Sequence, residues 1–563
     1  MIPSKNSIWN STRILSALSI LISLTLILSR IMPLGGPFIF SDEYLYGAWT
    51  SALHRGAPGV PPMDVALGNW LYLRVYSLAF IGPGSFLVKA RVLNAFFSAL
   101  GAGMLTWALH SVEPTQKKLL SAVLASGFAI ALLGTYAGYF IPDAPYFAVS
   151  CAWLYCIVRY ARDRRISLAI MAGIVGSVVT MVKGHGFLLL PATIFAFVFM
   201  GINSRDWRKT GVAIISVAVV WLFCCSVISF TLGNDNDLNP MGNFYGNTAS
   251  GILNHLTGYL SVEFVRLVFR YLAVLIVSLG LPLLISFWLA LTAVFRPRAS
   301  SHKATLLFSA LVLCCVTGGF LLMSSVFTVA AVTPGSVTYD PYHSLGRLDG
   351  GRYYEDFALL AACVGIMGSH TVLKDWSKKA RLTIFVLFCV LLTASWWVLR
   401  GVGWQNPNDF AIAYGLFSSP AGRYWAFSLA AAGAFVSMLR PRHAPAVLTC
   451  ALLAWMGFNM VRTEQLRWSN QESAAGRVAA MVNAASDRSA TVELAGPGAT
   501  VDVYRAAFHL LDRKTTLALG NAANSCGVNG KMPDWVVTVD ETPDPCHYSN
   551  EIRIDHASAA QHR

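Results

Sequence analysis

The sequence predicts a polytopic α-helical membrane protein with a small C-terminal α/β domain. Three observations carry that prediction. Of 563 residues, 55% are hydrophobic and only 12% charged, for a mean hydropathy of +0.55. Apolar runs of about 18 residues or more recur over most of the chain, each long enough to cross a hydrocarbon core as a helix. Lys and Arg, in excess over the acids by a net charge of +14, fall in short clusters in alternate gaps between those runs. That is the pattern that sets membrane orientation.

The first span is expected over 14–32, behind Lys5 and Arg13. No small-residue cleavage site follows its apolar core, so an uncleaved helix is expected. A long loop, 34–85, comes next. It holds the adjacent acids Asp42 and Glu43 among Tyr44, Tyr46 and Trp49, then a Gly/Pro turn at 56–62, then Trp70-Leu71-Tyr72. The last piece reads as a helix lying flat at the interface. Further spans are expected near 88–109, 119–135, 142–160, 166–182, 186–202, 211–232, 268–294, 304–330, 356–372, 382–399, 425–439 and 444–461. The basic clusters at 117–118, 162–165, 205–209, 296–303, 374–381 and 440–442 then all face one side. By the bias of Lys and Arg towards the cytoplasm, that side is inside. The expectation is about thirteen spans, an inside N-terminus and an outside C-terminus.

The loops on the other side are longer and less basic, and all the long ones share that face. Long loops of this kind carry function or are disordered, so the working face is expected outside. From 462 the apolar runs stop. Residues 1–461 therefore form the membrane domain and 462–563 a soluble domain. Helices near 472–485 and 501–511 and strands at 491–494 and 535–539 predict an α/β unit. Nine of the eleven cysteines lie in apolar runs, where they act as small hydrophobes. Cys526 and Cys546 lie outside them. A disulfide between the two is expected in an oxidising compartment, and two free thiols are the alternative.

The positive charge does not point to nucleic acid, because no soluble segment interleaves basic and aromatic residues. Acids are scarce, 28 in all, so their placement is informative. Near outside span ends stand Asp42 and Glu43, Asp143 opening span four, and Lys183 and His185 in the turn between spans five and six. Arg347, Asp349, Arg352, Tyr353 and Glu355 precede span ten, with His343 nearby. A carboxylate there suits general-base activation of a hydroxyl. Lys and Arg suit a phosphate, Lys as a point charge and Arg as a fork. A phosphate at the interface on an isoprenoid tail is the shape of a lipid-linked sugar. Plainer roles compete: Asp143 as a helix cap or dipole partner, Lys183 as a snorkelling side chain, His185 as a partner of turn backbone, and Arg352 and Tyr353 as part of an interfacial aromatic belt.

Ser41-Asp42-Glu43-Tyr44, Ile141-Pro142-Asp143-Ala144-Pro145, Val182-Lys183-Gly184 and Gly351-Arg352-Tyr353-Tyr354 stand in the order seen in GT-C glycosyltransferases. The chain resembles most the lipid A aminoarabinose transferases and protein O-mannosyltransferases, over most of its length. The resemblance implies a polyprenyl-phosphate-linked sugar donor, inversion at the anomeric carbon and a catalytic acid in the first outside loop. It also implies a place in the bacterial inner membrane. Asp42 and Glu43 are then the catalytic pair, and Lys183, Arg352, Arg347 and Tyr353 the phosphate ligands, with Asp143 and His185 beside them. The chain departs from the aminoarabinose transferases in two ways. Glu43 lacks their nearby arginine, and Ala66-Leu67-Gly68-Asn69-Trp70-Leu71-Tyr72 replaces their Lys-Pro-Pro-Leu-Tyr-Tyr-Trp-like element. The lysine so lost is one expected at the donor phosphate, leaving its work to Lys183, Arg347 and Arg352, with Arg74 or Lys89. The acceptor, whether lipid, glycan or protein, is left open, as is a divalent cation shared by Asp42, Glu43 and another acid. Two other classes compete, a transporter or flippase and an O-antigen-ligase-like transferase. The first needs mid-membrane charges or paired broken helices, and the second has its key residues in a late outside loop.

The orientation is testable by labelling. A single cysteine placed by Gly242→Cys or Gly335→Cys is expected to react with an impermeant thiol reagent from outside, and one placed by Ser204→Cys or Ser300→Cys to be spared. The reverse pattern would invert the topology.

Overall fold

The computed structural model describes residues 5–32, 42–55, 67–82, 85–112, 117–231, 262–295, 301–332, 348, 351–400, 402, 413–470, 492–495, 515–517, 535–539 and 551–554. Its helices are α1 (Lys5–Ile31), α2 (Asp42–Arg55), α3 (Leu67–Ser77), α4 (Phe86–Val112), α5 (Lys118–Phe128), α6 (Gly134–Tyr136), α7 (Asp143–Asp163), α8 (Ile166–Val182), α9 (Leu189–Ser204) and α10 (Trp207–Thr231). Then follow α11 (Val262–Phe295), α12 (Ser301–Val332), α13 (Gly351–Asp375), α14 (Lys378–Leu399), α15 (Tyr414–Ser418), α16 (Pro420–Leu439) and α17 (Ala444–Asn470). Among the described residues ten helical segments are long and apolar enough to cross a membrane, and Ile166–Val182 is apolar but shorter. The chain is an integral membrane protein by that measure. Each predicted span has a helix in its place, including α7 and α16, which fall outside those ten.

The helices bury unequal shares of their surface, and the inequality shows which face lipid. In the apolar windows of α10 and α14 22% of residues are buried, against 89% for α13. α13 is therefore the central helix, with α11 and α12 packed along it. α4 packs along α7, and α7 along α8.

Three local features depart from uniform spans. The third span is α5, a π-helical turn at Ala129–Leu133, and α6. A π turn leaves a carbonyl out of the regular ladder, and the Arg30 guanidinium of α1 donates to Ile130 O at 2.9 Å. α11 breaks at Gly280, with φ 55° and ψ −139°, two residues before Pro282. Proline has no N–H to give the preceding turn, so the predicted straight span 268–294 is two half-helices. Gly365 of α13 packs against this break, and a Cβ there would fall 1.9 Å from Pro282 O. The third feature is α3. The expected flat interfacial helix instead buries Tyr72, Leu73 and Tyr76 against the protein, packing on α2 and α8. Three large apolar side chains within two turns find more contact there than at a lipid surface.

Beyond α17 the described residues form four strands: β1 (Val492–Ala495), β2 (Thr515–Leu517), β3 (Trp535–Val539) and β4 (Glu551–Ile554). They make one parallel sheet in the order β2-β1-β3-β4, with Val492 opposite both Thr515 and Trp535, and Val536 opposite Glu551. β1 and β3 are the two predicted strands. β2 is only three residues long, and β4 reads Glu-Ile-Arg-Ile, so neither carries a strong apolar signal. The helices predicted at 472–485 and 501–511, and Cys526 and Cys546, lie outside the described residues.

The contact at the α11 break predicts a contrast between two glycines. Gly365→Ala is expected to lower stability by about 1–3 kcal/mol, because the backbone it meets cannot step aside as a side chain would. Gly318 of α12 has nothing within 4 Å of its Cβ position. Gly318→Ala is expected to be neutral or to gain about 0.5–1 kcal/mol from reduced unfolded-state freedom. Thermal unfolding of both variants in detergent checks the pair.

Candidate functional site

α7 and α8 are joined by Arg164 and Arg165, Arg164 adopting the left-handed conformation that ends α7. The two helices run antiparallel, which returns the end of α8 to the start of α7. Asp143 is the first residue of α7 and Lys183 the residue after α8. An acid at a helix N-terminus and a base at a C-terminus both oppose the local dipole charge favourably. They meet there: Lys183 Nζ donates to Asp143 Oδ1 at 2.7 Å, with the side chains 5% and 1% exposed. Asp143 makes no capping hydrogen bond, since Pro142 is the cap residue and its side chain has none to offer. Lys183 does not reach for solvent. Neither cap nor snorkel describes what these side chains do, while the helix-end position of Asp143 fits a dipole role as well.

The ammonium also stands 5.3 Å from the centre of the Tyr146 ring, a cation–π contact strengthened by burial. After Lys183 the chain enters a 3₁₀ turn, Gly184–Leu188. Gly186 lies so close to α8 that a Cβ would fall 2.8 Å from the Val179 carbonyl carbon. His185 is buried in the same turn.

A third ionisable side chain comes from α13. Asp356 is 2% exposed and close enough to the pair that the charges of Asp143 and Lys183 both act on it. Among the described residues neither of its carboxylate oxygens has a hydrogen-bond partner, and the same holds for Asp143 Oδ2 and the Tyr146 hydroxyl. The adjoining Glu355 is fully buried, and the Tyr136 hydroxyl donates to its Oε2 at 3.4 Å. The cluster therefore sets Asp143 and Asp356 beside one base, Lys183, with acceptor oxygens left over.

A tight turn and an aromatic ladder tie α2 and α3 to this cluster. Asn94 Nδ2 donates to the Ala137 and Tyr139 carbonyls at 3.3 and 2.6 Å, and Arg91 Nε to the Gly138 carbonyl at 3.3 Å. The Tyr76 hydroxyl of α3 donates in turn to Asn94 Oδ1. Burial pushes that phenol well above its ordinary pKa, so it stays a donor. Tyr46 of α2 packs on Tyr72 at 5.3 Å between ring centres, and Tyr72 on Phe140 at 6.0 Å. α3 also touches α8 and the 3₁₀ turn after Lys183.

The predicted residues are distributed as follows. Asp42 and Glu43 are the first two residues of α2, four and three positions before Tyr46. Arg352 and Tyr353 are the second and third residues of α13, within about 6 Å of Asp356 along the helix axis. Arg347, His343 and Asp349 lie outside the described residues. Lys89 donates to the Ile81 and Gly82 carbonyls at 2.7 and 3.0 Å, holding a loop, and Arg74 is exposed. Asp356 is the residue that sequence reasoning missed. Its signal was available, as Glu355-Asp356 is a pair of adjacent acids entering an apolar span. Among the described residues no cluster of three or more His, Cys, Asp or Glu is arranged to hold a metal ion.

No family model matches the chain, and no curated protein sequence matches it. Among solved structures it is similar to ArnT from Cupriavidus metallidurans bound to undecaprenyl phosphate, at 15% identity and a TM-score of 0.49, over 95% of this chain and 89% of that one. It is likewise similar to the apo state of the same ArnT, at 14% identity and a TM-score of 0.48, over 93% and 86%. ArnT is a lipid A aminoarabinose transferase, one of the two families that the sequence motifs resemble.

The ion pair makes a prediction of its own. Lys183→Met leaves Asp143 buried without its partner and is expected to cost about 3–5 kcal/mol. Asp143→Asn with Lys183→Met removes both charges and should recover much of that loss. A double-mutant cycle by thermal unfolding measures the coupling, and strictly additive losses would show that the pair is not energetically linked.

Proposed function

We propose that this chain is a glycosyltransferase of the bacterial inner membrane that moves a sugar from a polyprenyl-phosphate donor to a hydroxyl acceptor. The observation that supports the reading is the buried Asp143–Lys183 pair with Asp356 at the end of α8 that α3 packs against. In this reading the acid pair opening α2 and the arginine-bearing start of α13 face the same place, so that general bases and phosphate ligands from separate parts of the sequence act together.

The chemistry asks for few parts. The acceptor oxygen attacks the anomeric carbon as the bond from that carbon to the phosphate oxygen breaks, and the phosphate leaves with the electron pair. No strong acid is needed for such a leaving group. Asp42 takes the hydroxyl proton as attack proceeds, from the face opposite the phosphate, so the anomeric carbon inverts. Glu43 orients the acceptor or a divalent cation. Lys183, Arg352, Tyr353 and Arg347 hold the phosphate, whose charge competes with Asp143 for the Lys183 ammonium. Asp143, Asp356 and His185 hold the geometry of that ammonium. In the same reading the chain crosses the membrane thirteen times with its N-terminus inside. The sheet-bearing domain 462–563 then lies outside, where Cys526 and Cys546 pair.

Buried charges and a broken helix would also suit a transporter. Here the charges stand at helix ends: the first residue of α7, the residue after α8 and the sixth of α13. Among the described residues one helix, α11, has non-helical geometry in its interior. A transport path wants such features at mid-span and in pairs, so transferase is the better reading.

Loss of the base tests it. Asp42→Asn is expected to retain donor binding and lose about 100-fold or more in turnover, with Glu43→Gln milder. Measured sugar transfer from a polyprenyl-phosphate donor at wild-type rate in both variants would remove the acid pair from the mechanism.

A further inference from the structure

At the other end of α13 from Asp356 the helices part around a cavity of about 590 Å³, lined by Trp288, Phe295, Lys303, Leu306, Asp375 and Trp376 among others. Its size falls within the roughly 300–1,000 Å³ that commonly holds a small ligand. Asp375 lies nineteen residues after Asp356, about 28 Å along the helix axis. That is close to the thickness of a hydrocarbon core, about 30 Å. The cavity thus opens at the opposite membrane boundary from the charge cluster, and its role is separate from the proposed reaction.

The lining has two parts. The interior is apolar, with Trp288 and Trp376 edge to face at 5.6 Å, and indoles settle at the level of lipid headgroups. At the rim Lys303 Nζ stands 3.4 Å from Asp375 Oδ2, the side chains 54% and 63% exposed. An ion pair this exposed contributes little by itself. It can open to a ligand at small cost. A ligand with an anion and a hydrogen-bonding cation side by side would replace one such pair by two. An apolar tail on that ligand would fill the slot behind.

We propose that this cavity binds a phospholipid with a zwitterionic, primary-ammonium headgroup, a phosphatidylethanolamine. Its phosphate accepts from Lys303, its ammonium donates to Asp375, and an acyl chain lies between α11, α12 and α13 against the two indoles. Phosphatidylcholine carries no N–H to donate, and phosphatidylglycerol carries no cation. The site therefore selects by headgroup, and Asp375 is the selecting residue.

Native mass spectrometry of the full chain, released from mixed micelles holding equal phosphatidylethanolamine, phosphatidylcholine and phosphatidylglycerol, tests this. Wild type is expected to retain phosphatidylethanolamine about threefold or more over either competitor, as a single exposed charge contact allows. Asp375→Asn should bring phosphatidylethanolamine down to the level of phosphatidylcholine. Lys303→Ala should lower retention of all three. Both residues are exposed, so the variants are expected to fold. Equal retention of the three lipids by wild type, a preference for phosphatidylglycerol, or a preference unchanged by Asp375→Asn would each overturn the proposal.

Discussion

The buried pair of Asp143 and Lys183 is the constraint on which the packing of α7 and α8 turns. Two charges at 2.7 Å with almost no exposure stabilise each other strongly only because water is excluded. The same exclusion makes each expensive without the other. Their positions at the start of α7 and the end of α8 add the favourable field of both helix ends. The register of this antiparallel pair is thereby set at one end by a polar contact, while apolar packing along its length would tolerate sliding.

Well-packed apolar residues often stabilise such a place as well as an ion pair does, so stability alone does not account for charge there. Asp356 sharpens the point. A second buried acid raises the electrostatic cost, and its oxygens make no hydrogen bond among the described residues. Groups left so are characteristic of sites that meet a substrate, where unspent hydrogen-bonding capacity is used by the ligand.

The first loop depends on a different physics. α2 and α3 are amphipathic and short, and they are held by rings. Tyr46 meets Tyr72 and Tyr76 meets Phe140 edge to face, Tyr72 and Tyr76 lie tilted against each other, and the Tyr76–Asn94 hydrogen bond closes the chain of contacts onto α4. Asn94 and Arg91 in turn satisfy the carbonyls of the turn before Asp143, groups that could not stay unpaired in an apolar setting. One set of side chains thus positions both the helix bearing Asp42 and the helix bearing Asp143.

Much of this was legible in the sequence, because the bilayer imposes its rules locally. A crossing helix must be apolar over its whole length, so every predicted span has a helix in its place, and two of the four strands announced themselves by β-branched and aromatic residues. Asp143 and Lys183 could be singled out as rare charges at span ends. Pairing could not be read: forty residues separate Asp143 from Lys183, and only the antiparallel return of α8 joins them. Asp356 and the turn clamp of Asn94 depend on contacts between distant helices, and the burial of α3 on a face that composition alone does not reveal. The broken helix was hidden because Gly280 and Pro282 sit in a run apolar enough to span. Hydropathy counts transfer into lipid residue by residue, whereas packing, hydrogen-bond satisfaction and charge pairing belong to the folded arrangement as a whole.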